Sequence, residues 1–190
     1  MVAVGVTAYL FGGLREVRSL RLLAESDPLT GLLNRAGAQR AWVGLAPGEA
    51  VSLAVVDLNE LKAVNDALGH AAGDRLLLSC ARALLRACGE RGWVARWGGD
   101  EFLVALPGMS EPEARARLSA AKATLTTMAG ALPAWAVGVV SARGGHALHA
   151  ALQAADARMY EEKAAQYRLV KFAGTRGRVA PPRRAPPPQS

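Results

Sequence analysis

Two glycines followed by two acids, Gly98-Gly99-Asp100-Glu101, are the residues of this chain whose types and spacing most directly indicate chemistry. Apolar, strand-like stretches flank them at 93–97 and 102–106, so the segment predicts a β-hairpin with a tight turn. Glycine lacks a Cβ and tolerates positive φ, which lets another molecule approach the backbone closely. Carboxylates beside such a backbone suit a divalent cation, and a cation there suits a phosphate. Taken alone, the four residues are equally typical of an ordinary acidic hairpin tip.

A third acid, Asp57, stands near the end of the apolar segment 50–59, AVSLAVVDLN. A continuous apolar run of this length predicts a strand buried on both faces, with Asp57 at its C-terminal end. A short helical pattern with Lys62 and Asn65 follows at 60–68, and a glycine-bounded turn at 69–74 leads into a longer helix. Asp57 is also explained as a cap of the next turn. Two acid-bearing strand ends with a lysine between them favour a metal–phosphate site over two separate caps.

Hydrophobic periodicity and turn residues place these segments in an alternating order of helices and strands. We predict helices at 30–46, 60–67, 74–88, 111–128 and 147–170, and strands at 50–58, within the 93–106 hairpin and at 133–142. This order predicts an α/β fold in which helices cover a sheet. Cys80 and Cys88 lie about 12 Å apart along one predicted helix, too far for a disulfide, so we expect buried thiols.

The net charge of +7 does not indicate nucleic-acid binding, because of where the excess lies along the chain. Five basic residues and no acid follow position 170, which leaves the other residues close to balance, so no nucleic-acid partner is expected. The segment 174–190 is rich in proline and arginine, as disordered tails are. With 51% apolar residues overall, the chain predicts one globular domain. We therefore expect an N-terminal segment at 1–24, a domain at 25–172 and a disordered tail at 173–190.

Residues 1–14 are uncharged and mostly apolar, but they fall short of the ~20 residues that span a bilayer. Arg15, Arg18 and Arg21 follow them, as basic residues do on the cytoplasmic side of a membrane helix. This pattern favours the remnant of a membrane anchor, with a cytoplasmic domain attached to the inner face of the cell membrane. The alternative is an apolar helix that packs on the domain or on a partner chain.

Five blocks of residues extend the pattern around the glycine pair, in order, over roughly residues 25–168. They are 27–35 (DPLTGLLNR), 57–66 (DLNELKAVND), 69–74 (GHAAGD), 98–102 (GGDEF) and 155–163 (ADARMYEEK). With these blocks the chain resembles the diguanylate cyclase, or GGDEF, family. The resemblance implies a palm-like mixed sheet with covering helices and a central β-hairpin, similar to the catalytic domains of class III nucleotidyl cyclases.

The resemblance also implies an activity, the condensation of two GTP molecules into cyclic di-GMP and two pyrophosphates by a homodimer in bacterial second-messenger signalling. The implied cofactor is Mg²⁺ or Mn²⁺, hard ions that prefer oxygen ligands. Its ligands would be the carboxylates of Asp57 and Asp100 and the backbone carbonyl of Leu58. Asp100 or Glu101 would accept the proton of the attacking hydroxyl, and the sequence does not separate this role from metal binding.

The same resemblance assigns residues to the two ends of GTP. Lys62 would stabilise charge on the phosphates, and Lys163 would be a second phosphate contact. The backbone N–H groups of Asn59, Glu60 and Leu61, at the turn into a helix, would also hold phosphate oxygens.

Guanine presents the donors N1–H and the 2-amino group, which a carboxylate and an amide can recognise. Asn65 and Asp74 would form this pocket, with His70 nearby. Asp74 is also explained as an ordinary N-cap of the helix predicted to follow Gly73.

Several positions depart from the family's usual pattern. Gly89 and Gly92 stand where the product-inhibition motif carries its arginine and aspartate, so we expect no inhibitory product site of that type. Gln166 and Tyr167 replace a usual Gly-Arg pair, which weakens the expected phosphate contacts, and Asn59 stands where aspartate is common. The alternative to an active cyclase is therefore a weak or inactive domain that binds GTP and regulates a partner.

Overall fold

The computed structural model describes residues 24–125 and 135–173. Its helices are α1 (Arg35–Val43), α2 (Leu61–Leu68), α3 (His70–Cys88), α4 (Glu111–Ala123) and α5 (Leu148–Ala173). Its strands are β1 (Ala50–Leu58), β2 (Trp93–Arg96), β3 (Glu101–Pro107) and β4 (Trp135–Arg143). The mixed α/β order predicted from periodicity is confirmed, and α5 is the longest of these elements at 26 residues.

The four described strands form one sheet in the order β2-β3-β1-β4, so β1 lies in its interior. All three strand pairs are antiparallel, and an isolated parallel bridge joins Leu33 to Ala95 at the β2 edge. From position 51 onward every residue of β1 is buried. The apolar run that predicted a strand buried on both faces is thus confirmed, although its neighbours run antiparallel to it.

Helices cover both faces of the sheet, and the two-residue period of the strands divides the core between them. On one face Val56, Phe102 and Val137 pack with the buried side of α3 and with α4. On the other face Leu53 and Leu103 pack with residues of α1 and α5. Each fully buried side chain of this size contributes roughly 1.5–3 kcal/mol to folding. Asp57 and Glu101 follow the same alternation as Leu53 and Leu103, which places both acids on the α5 face.

Two helix starts differ from the predicted ones by four or five residues, and the helix expected at 30–46 also ends early, at Val43. The helix expected at 30–46 begins only at Arg35, because Asn34 is its N-cap and its side chain accepts from the N–H of Gly37 at 3.0 Å. The helix expected to begin at Asp74 already begins at His70, directly after Gly69, whose φ of +81° separates α3 from α2.

The predicted thiols are confirmed. Cys80 and Cys88 are free and buried on α3, and burial raises the pKa of these thiols to about 12 and about 11 respectively. Both thiols therefore stay protonated near neutral pH and act as small apolar core residues.

Several predictions from the sequence fall outside the described residues. These are the N-terminal apolar segment, the start of the strand predicted from 133 and the tail at 174–190. The end of the helix predicted to reach 128 is wrong: α4 ends at Ala123, where the N–H of Thr124 closes the last turn on the carbonyl oxygen of Ala121. Among the helices described here, none is both long enough and apolar enough to cross a bilayer.

Helix α5 crosses strand β4 so closely that the strand requires a glycine at the crossing point. A Cβ on Gly138 would lie 1.9 Å from the carbonyl oxygen of Ala155 and 2.4 Å from the nitrogen of Met159. Both neighbours are backbone atoms in the middle of α5, so a side chain at this position forces the whole helix away from the sheet. Gly138 therefore sets the distance at which α5 lies over the sheet.

We predict that Gly138→Ala destabilises the domain by about 2–3 kcal/mol, the usual cost of overpacking a core. Urea denaturation followed by circular dichroism would measure the change in the free energy of unfolding. Gly44→Ala is the matched control, because Gly44 has ordinary helical φ and ψ and a Cβ there meets only normal contacts. Equal midpoints for the two variants would contradict the prediction.

Candidate functional site

The predicted acids meet at the end of the sheet where β1 stops and β3 starts. Asp57 and Glu101 are register partners on these neighbouring strands, and both lie on the face that α5 covers. Asp100 precedes β3 in the hairpin turn, and its carbonyl oxygen accepts from the N–H of Leu58 at 2.9 Å. The structure thus brings together all four residues that the sequence assigned to metal binding and proton transfer.

Lys163 completes this end of the sheet from α5. Its Nζ lies 2.5 Å from Oδ1 of Asp57, and the two side chains are only 15% and 12% exposed. A partly buried ion pair is screened less by solvent than a surface pair, so it holds α5 and β1 in a defined relation. The lysine assigned to phosphate is therefore beside the acid assigned to the metal ion.

Two acids at this site, Asp57 and Glu101, have raised pKa values, first because they are buried and then because other carboxylates lie nearby. Burial is the main cause of the raised pKa of Asp57, Lys163 opposes it, and the carboxylates of Asp100 and Asp156 add to it. Burial likewise raises the pKa of Glu101, and the carboxylates of Asp57, Asp100 and Asp156 add to the effect. The carboxylates outnumber the single ammonium group, so this site attracts additional positive charge.

Asp156 is the member of this group that sequence reasoning did not select. It lies on α5 seven residues before Lys163, which is two helical turns, so the two side chains share a helix face. That spacing was the available signal, and it acquires meaning only once α5 is known to cross the end of β1.

The chemistry of these residues fits a hard divalent cation, although their geometry is not that of a closed metal site. Carboxylate oxygens are the ligands that Mg²⁺ and Mn²⁺ prefer, and burial disfavours leaving these acids without a counter-charge. Within residues 24–125 and 135–173, no three acids, histidines or cysteines converge tightly enough to hold a metal by themselves. Such a site needs further oxygen ligands, as Mg²⁺ sites completed by substrate phosphates do.

A second set of contacts fixes the glycine turn. The guanidinium of Arg96 donates to the carbonyl oxygen of Gly99 from Nη2 at 2.8 Å and from Nε at 3.2 Å. Its Nη1 lies 3.3 Å from Oδ2 of Asp27, and Arg35 stacks over Trp97 with 4.8 Å to the ring centroid. These contacts brace the glycine turn and tie it to the segment before α1.

The residues assigned to guanine lie at the junction of α2 and α3. The amide of Asn65 packs on Gly73, where a Cβ would lie 2.0 Å from Oδ1. Oδ1 of Asn65 is buried and has no hydrogen-bond partner among the described residues, whereas Asp74 and His70 are exposed. A buried acceptor of this kind suits a ligand that supplies a donor.

The capping explanation of Asp74 is wrong. Because α3 begins at His70, Asp74 is the fifth residue of the helix and not its N-cap, which is Gly69. Gly73 stays inside the helix and leaves room for Asn65. The carboxylate of Asp74 therefore has no capping role and is available to a ligand at the α2–α3 junction.

The turn between β1 and α2 has an unusual backbone. Glu60 has φ of +60°, and it is the one residue other than glycine with positive φ in the described chain. Residues held in this left-handed region carry strain and persist only where their surroundings fix them. The turn leads into α2, where Leu61 is the first residue and Lys62 is exposed.

Comparison with known proteins shows which family this chain resembles. A family model described as diguanylate cyclase, GGDEF domain, matches residues 24–168. An uncharacterized signaling protein of Caulobacter vibrioides is 40% identical over 125 residues, 60% of this chain and 16% of that protein. Diguanylate cyclase DgcP of Pseudomonas aeruginosa is 33% identical over 160 residues, 76% of this chain and 23% of that protein. The chain thus spans a small part of the length of these relatives.

A solved structure resembles the fold of this chain over most of the chain's length. The crystal structure of diguanylate cyclase SiaD from Pseudomonas aeruginosa, in complex with its activator SiaC, superposes with a TM-score of 0.66 at 29% sequence identity. The similarity covers 86% of this chain and 67% of that one.

We predict that Glu101→Gln raises the melting temperature of the metal-free protein at pH 7. A carboxyl whose pKa is raised by folding destabilises the folded state at pH values above that pKa. At pH values below the pKa of the same carboxyl in the unfolded chain, it is protonated in both the folded and the unfolded state, and the effect disappears. The gain should therefore be largest near neutral pH and shrink as pH falls towards the ordinary range of glutamate. Differential scanning fluorimetry in EDTA would measure it.

Glu90→Gln is the matched control for this pH series, because Glu90 is exposed beyond the end of α3. The control should show little change at any pH. A gain for Glu101→Gln that increases on acidification would contradict the assigned direction of the Glu101 pKa.

Proposed function

The chain belongs to the diguanylate cyclase GGDEF family, and we propose that it condenses two GTP molecules into cyclic di-GMP, releasing two pyrophosphates. The observation that carries the proposal is the group of acids at the end of β1 and β3, with Lys163 among them. It combines carboxylates that suit a divalent cation with a cation that suits a phosphate. The comparisons give the family, and the activity of this chain is our inference from that site.

The reaction forms and breaks the same kind of bond twice. The 3′-hydroxyl oxygen of each GTP attacks the α-phosphorus of the other, the P–O bond to pyrophosphate breaks, and the hydroxyl proton leaves to a base. Asp100 and Glu101 are the candidate bases. Glu101 has a raised pKa in the structure, which is the direction that improves a carboxylate as a proton acceptor near neutral pH.

We assign the divalent cation, Mg²⁺ or Mn²⁺, to the carboxylates of Asp57 and Asp100 and the backbone carbonyl of Leu58. When bound, such an ion neutralises phosphate charge and polarises the phosphorus that is attacked. Asp57 is held by its ion pair with Lys163, and Leu58 is held by its backbone bond to Asp100. These contacts orient the oxygen ligands before any substrate arrives, which lowers the cost of assembling the site.

The phosphate contacts come from two elements. Lys62 and the N–H groups of Asn59–Leu61 lie where β1 turns into α2, and Lys163 approaches from α5. Lysine side chains and backbone N–H groups stabilise the charge that develops on the transferred phosphate. Tyr167 stands where the family usually has an arginine, so this chain has one fewer cation for the phosphates than the usual pattern.

The guanine end is assigned to the α2–α3 junction. The buried Oδ1 of Asn65 can accept from the donor edge of guanine, and the carboxylate of Asp74 can accept from N1–H and the 2-amino group together. His70 starts α3 at the rim of the same junction. Adenine presents no such pair of donors, so these acceptors favour GTP over ATP.

A complete reaction requires two copies of the site, because we assign one GTP to each protomer and the product contains two nucleotides. We therefore propose a homodimer as the active species. We also propose that the usual inhibitory product site is missing, since Gly89 and Gly92 supply neither side chain. The nearby Arg91 pairs with Glu49 at 2.9 Å and is not oriented by an aspartate of that motif.

The second candidate function is a regulatory module that binds GTP without efficient turnover. The observation in its favour is Tyr167, which removes the usual arginine from the phosphate side. It differs from the first candidate in one measurable respect, since GTP binding persists while product is absent.

We predict that the purified chain converts GTP to cyclic di-GMP with Mg²⁺ and that Asp100→Ala lowers the rate at least 100-fold, as losses of directly reacting groups do. Chromatography of the products would measure the rate over a range of protein concentrations. Glu90→Ala is the control for an exposed acid. GTP binding without product at every concentration would favour the regulatory module, and absence of both would contradict the assigned site.

We predict that Asp74→Ala lowers the preference for GTP over ATP about tenfold or more, because hydrogen bonds to a charged group contribute roughly 1.5–3 kcal/mol. Competition binding of the two nucleotides gives the ratio without requiring turnover. Inosine triphosphate, which lacks the 2-amino group, should bind the variant and the original protein with a smaller difference than GTP. An unchanged GTP-to-ATP ratio would exclude Asp74 from the base contact.

A further inference from the structure

Two of the departures from the family pattern are in direct contact. Nδ2 of Asn59 donates to Oε1 of Gln166 at 2.9 Å, across 107 positions of the chain. Both side chains are buried, with 5% and 8% of their surfaces exposed. A buried amide destabilises the fold unless its polar atoms are hydrogen-bonded. Each of these two side chains therefore depends on the other as a hydrogen-bond partner.

The orientation of the Gln166 amide follows from its other partners. Nε2 donates to the carbonyl oxygen of Trp135 at 3.1 Å and to Oε1 of Glu162 at 2.9 Å. Both partners are acceptors, so the nitrogen must face them and the oxygen must face Asn59. Position 59 therefore has to supply a donor. An aspartate there would place a carboxylate against Oε1, with repulsion in place of a hydrogen bond.

The acceptor that fixes Gln166 is itself held by two cations. Nζ of Lys122 lies 2.9 Å from Oε1 of Glu162, and a guanidinium nitrogen of Arg115 lies 3.6 Å from Oε2. Both cations belong to α4. A continuous polar chain thus connects α4, α5 and the start of β4 to the residue that follows β1.

That residue begins the strained turn. Asn59 directly precedes Glu60, whose left-handed backbone is strained in a residue other than glycine. The strain persists only if the flanking residues are fixed, and the buried side chain of Asn59 is the anchor on the strand side. On the helix side, the carbonyl of Glu60 accepts from the N–H of Val64 at 3.0 Å.

We propose that Gln166 is a positioning residue that holds the Asn59–Leu61 turn in its strained conformation through Asn59. The departures from the usual pattern at 59 and at 166 then complement each other through one hydrogen bond. The catalytic consequence, a correctly placed phosphate-binding turn, rests on the proposed function. The structural consequence, a turn fixed from α5, does not.

Hydrogen exchange of the nucleotide-free protein tests the structural part. Gln166→Met keeps the length of the side chain and removes the amide, and Asn59→Asp keeps the shape and removes the donor. We expect each variant to accelerate amide exchange at positions 59–62 by about tenfold, the equivalent of one buried hydrogen bond. Exchange in β3 and α3 should change much less.

Gln153→Met is the matched control, because Gln153 is an exposed glutamine on the same helix. It should leave exchange at 59–62 unchanged. Two results would overturn the proposal, namely unchanged exchange at 59–62 in Gln166→Met, or acceleration that is equal throughout the domain. The first would show that the amide does not fix the turn, and the second would show a general loss of stability.

The substrate readout separates positioning from chemistry. In Gln166→Met we expect KM for GTP to rise about tenfold while kcat falls less than threefold, because the turn binds phosphate and supplies no base. An unchanged KM would overturn the catalytic part. If the original protein has no cyclase activity, the proposed function fails, and the exchange result still decides whether Gln166 fixes the turn.

Discussion

The close contact between α5 and β4 at Gly138 is the constraint on which the candidate site depends. Because no side chain separates the two backbones there, α5 lies directly on the sheet and continues past the end of β1. Lys163 then reaches Asp57, and Gln166 reaches Asn59. A small shift of the helix axis would break both contacts at once, since hydrogen bonds lose their strength within a few tenths of an ångström and a few tens of degrees.

Most of the sheet could be predicted from the sequence because its signals are local. The apolar run that ends at Asp57 and the glycine pair before Asp100 fix one strand and one hairpin from residues close together in the chain. Their meeting at one end of the sheet also follows, once the two strands are assumed to be neighbours. The boundary at Asp74 could not be predicted correctly, because Gly73 resembles a helix break until Asn65 is known to occupy the space above it.

The contacts made by α5 could not be predicted because they join residues about a hundred positions apart. Asp156 and Gln166 each have an ordinary local explanation, as an exposed acid and as a glutamine in a long helix. Only the position of the helix over the sheet places Asp156 near the other carboxylates and buries Gln166 against Asn59. Family resemblance identified Gln166 as a departure, but the hydrogen-bond directions at its amide explain why asparagine accompanies it.

The acids of the candidate site lower the stability of the folded state. The group of Asp57, Asp100, Glu101 and Asp156 concentrates negative charge at the rim of an apolar core, and Lys163 is the lysine paired with it in the described structure. A sequence optimised for folding alone would replace one of these acids by a neutral side chain, since desolvated like charges oppose the native state. Their presence together is therefore better explained by a positively charged partner than by packing. The divalent cation that we propose for this site would supply that charge, and the proposed triphosphate would complete its coordination, so the arrangement that weakens the nucleotide-free fold would suit the proposed phosphoryl transfer.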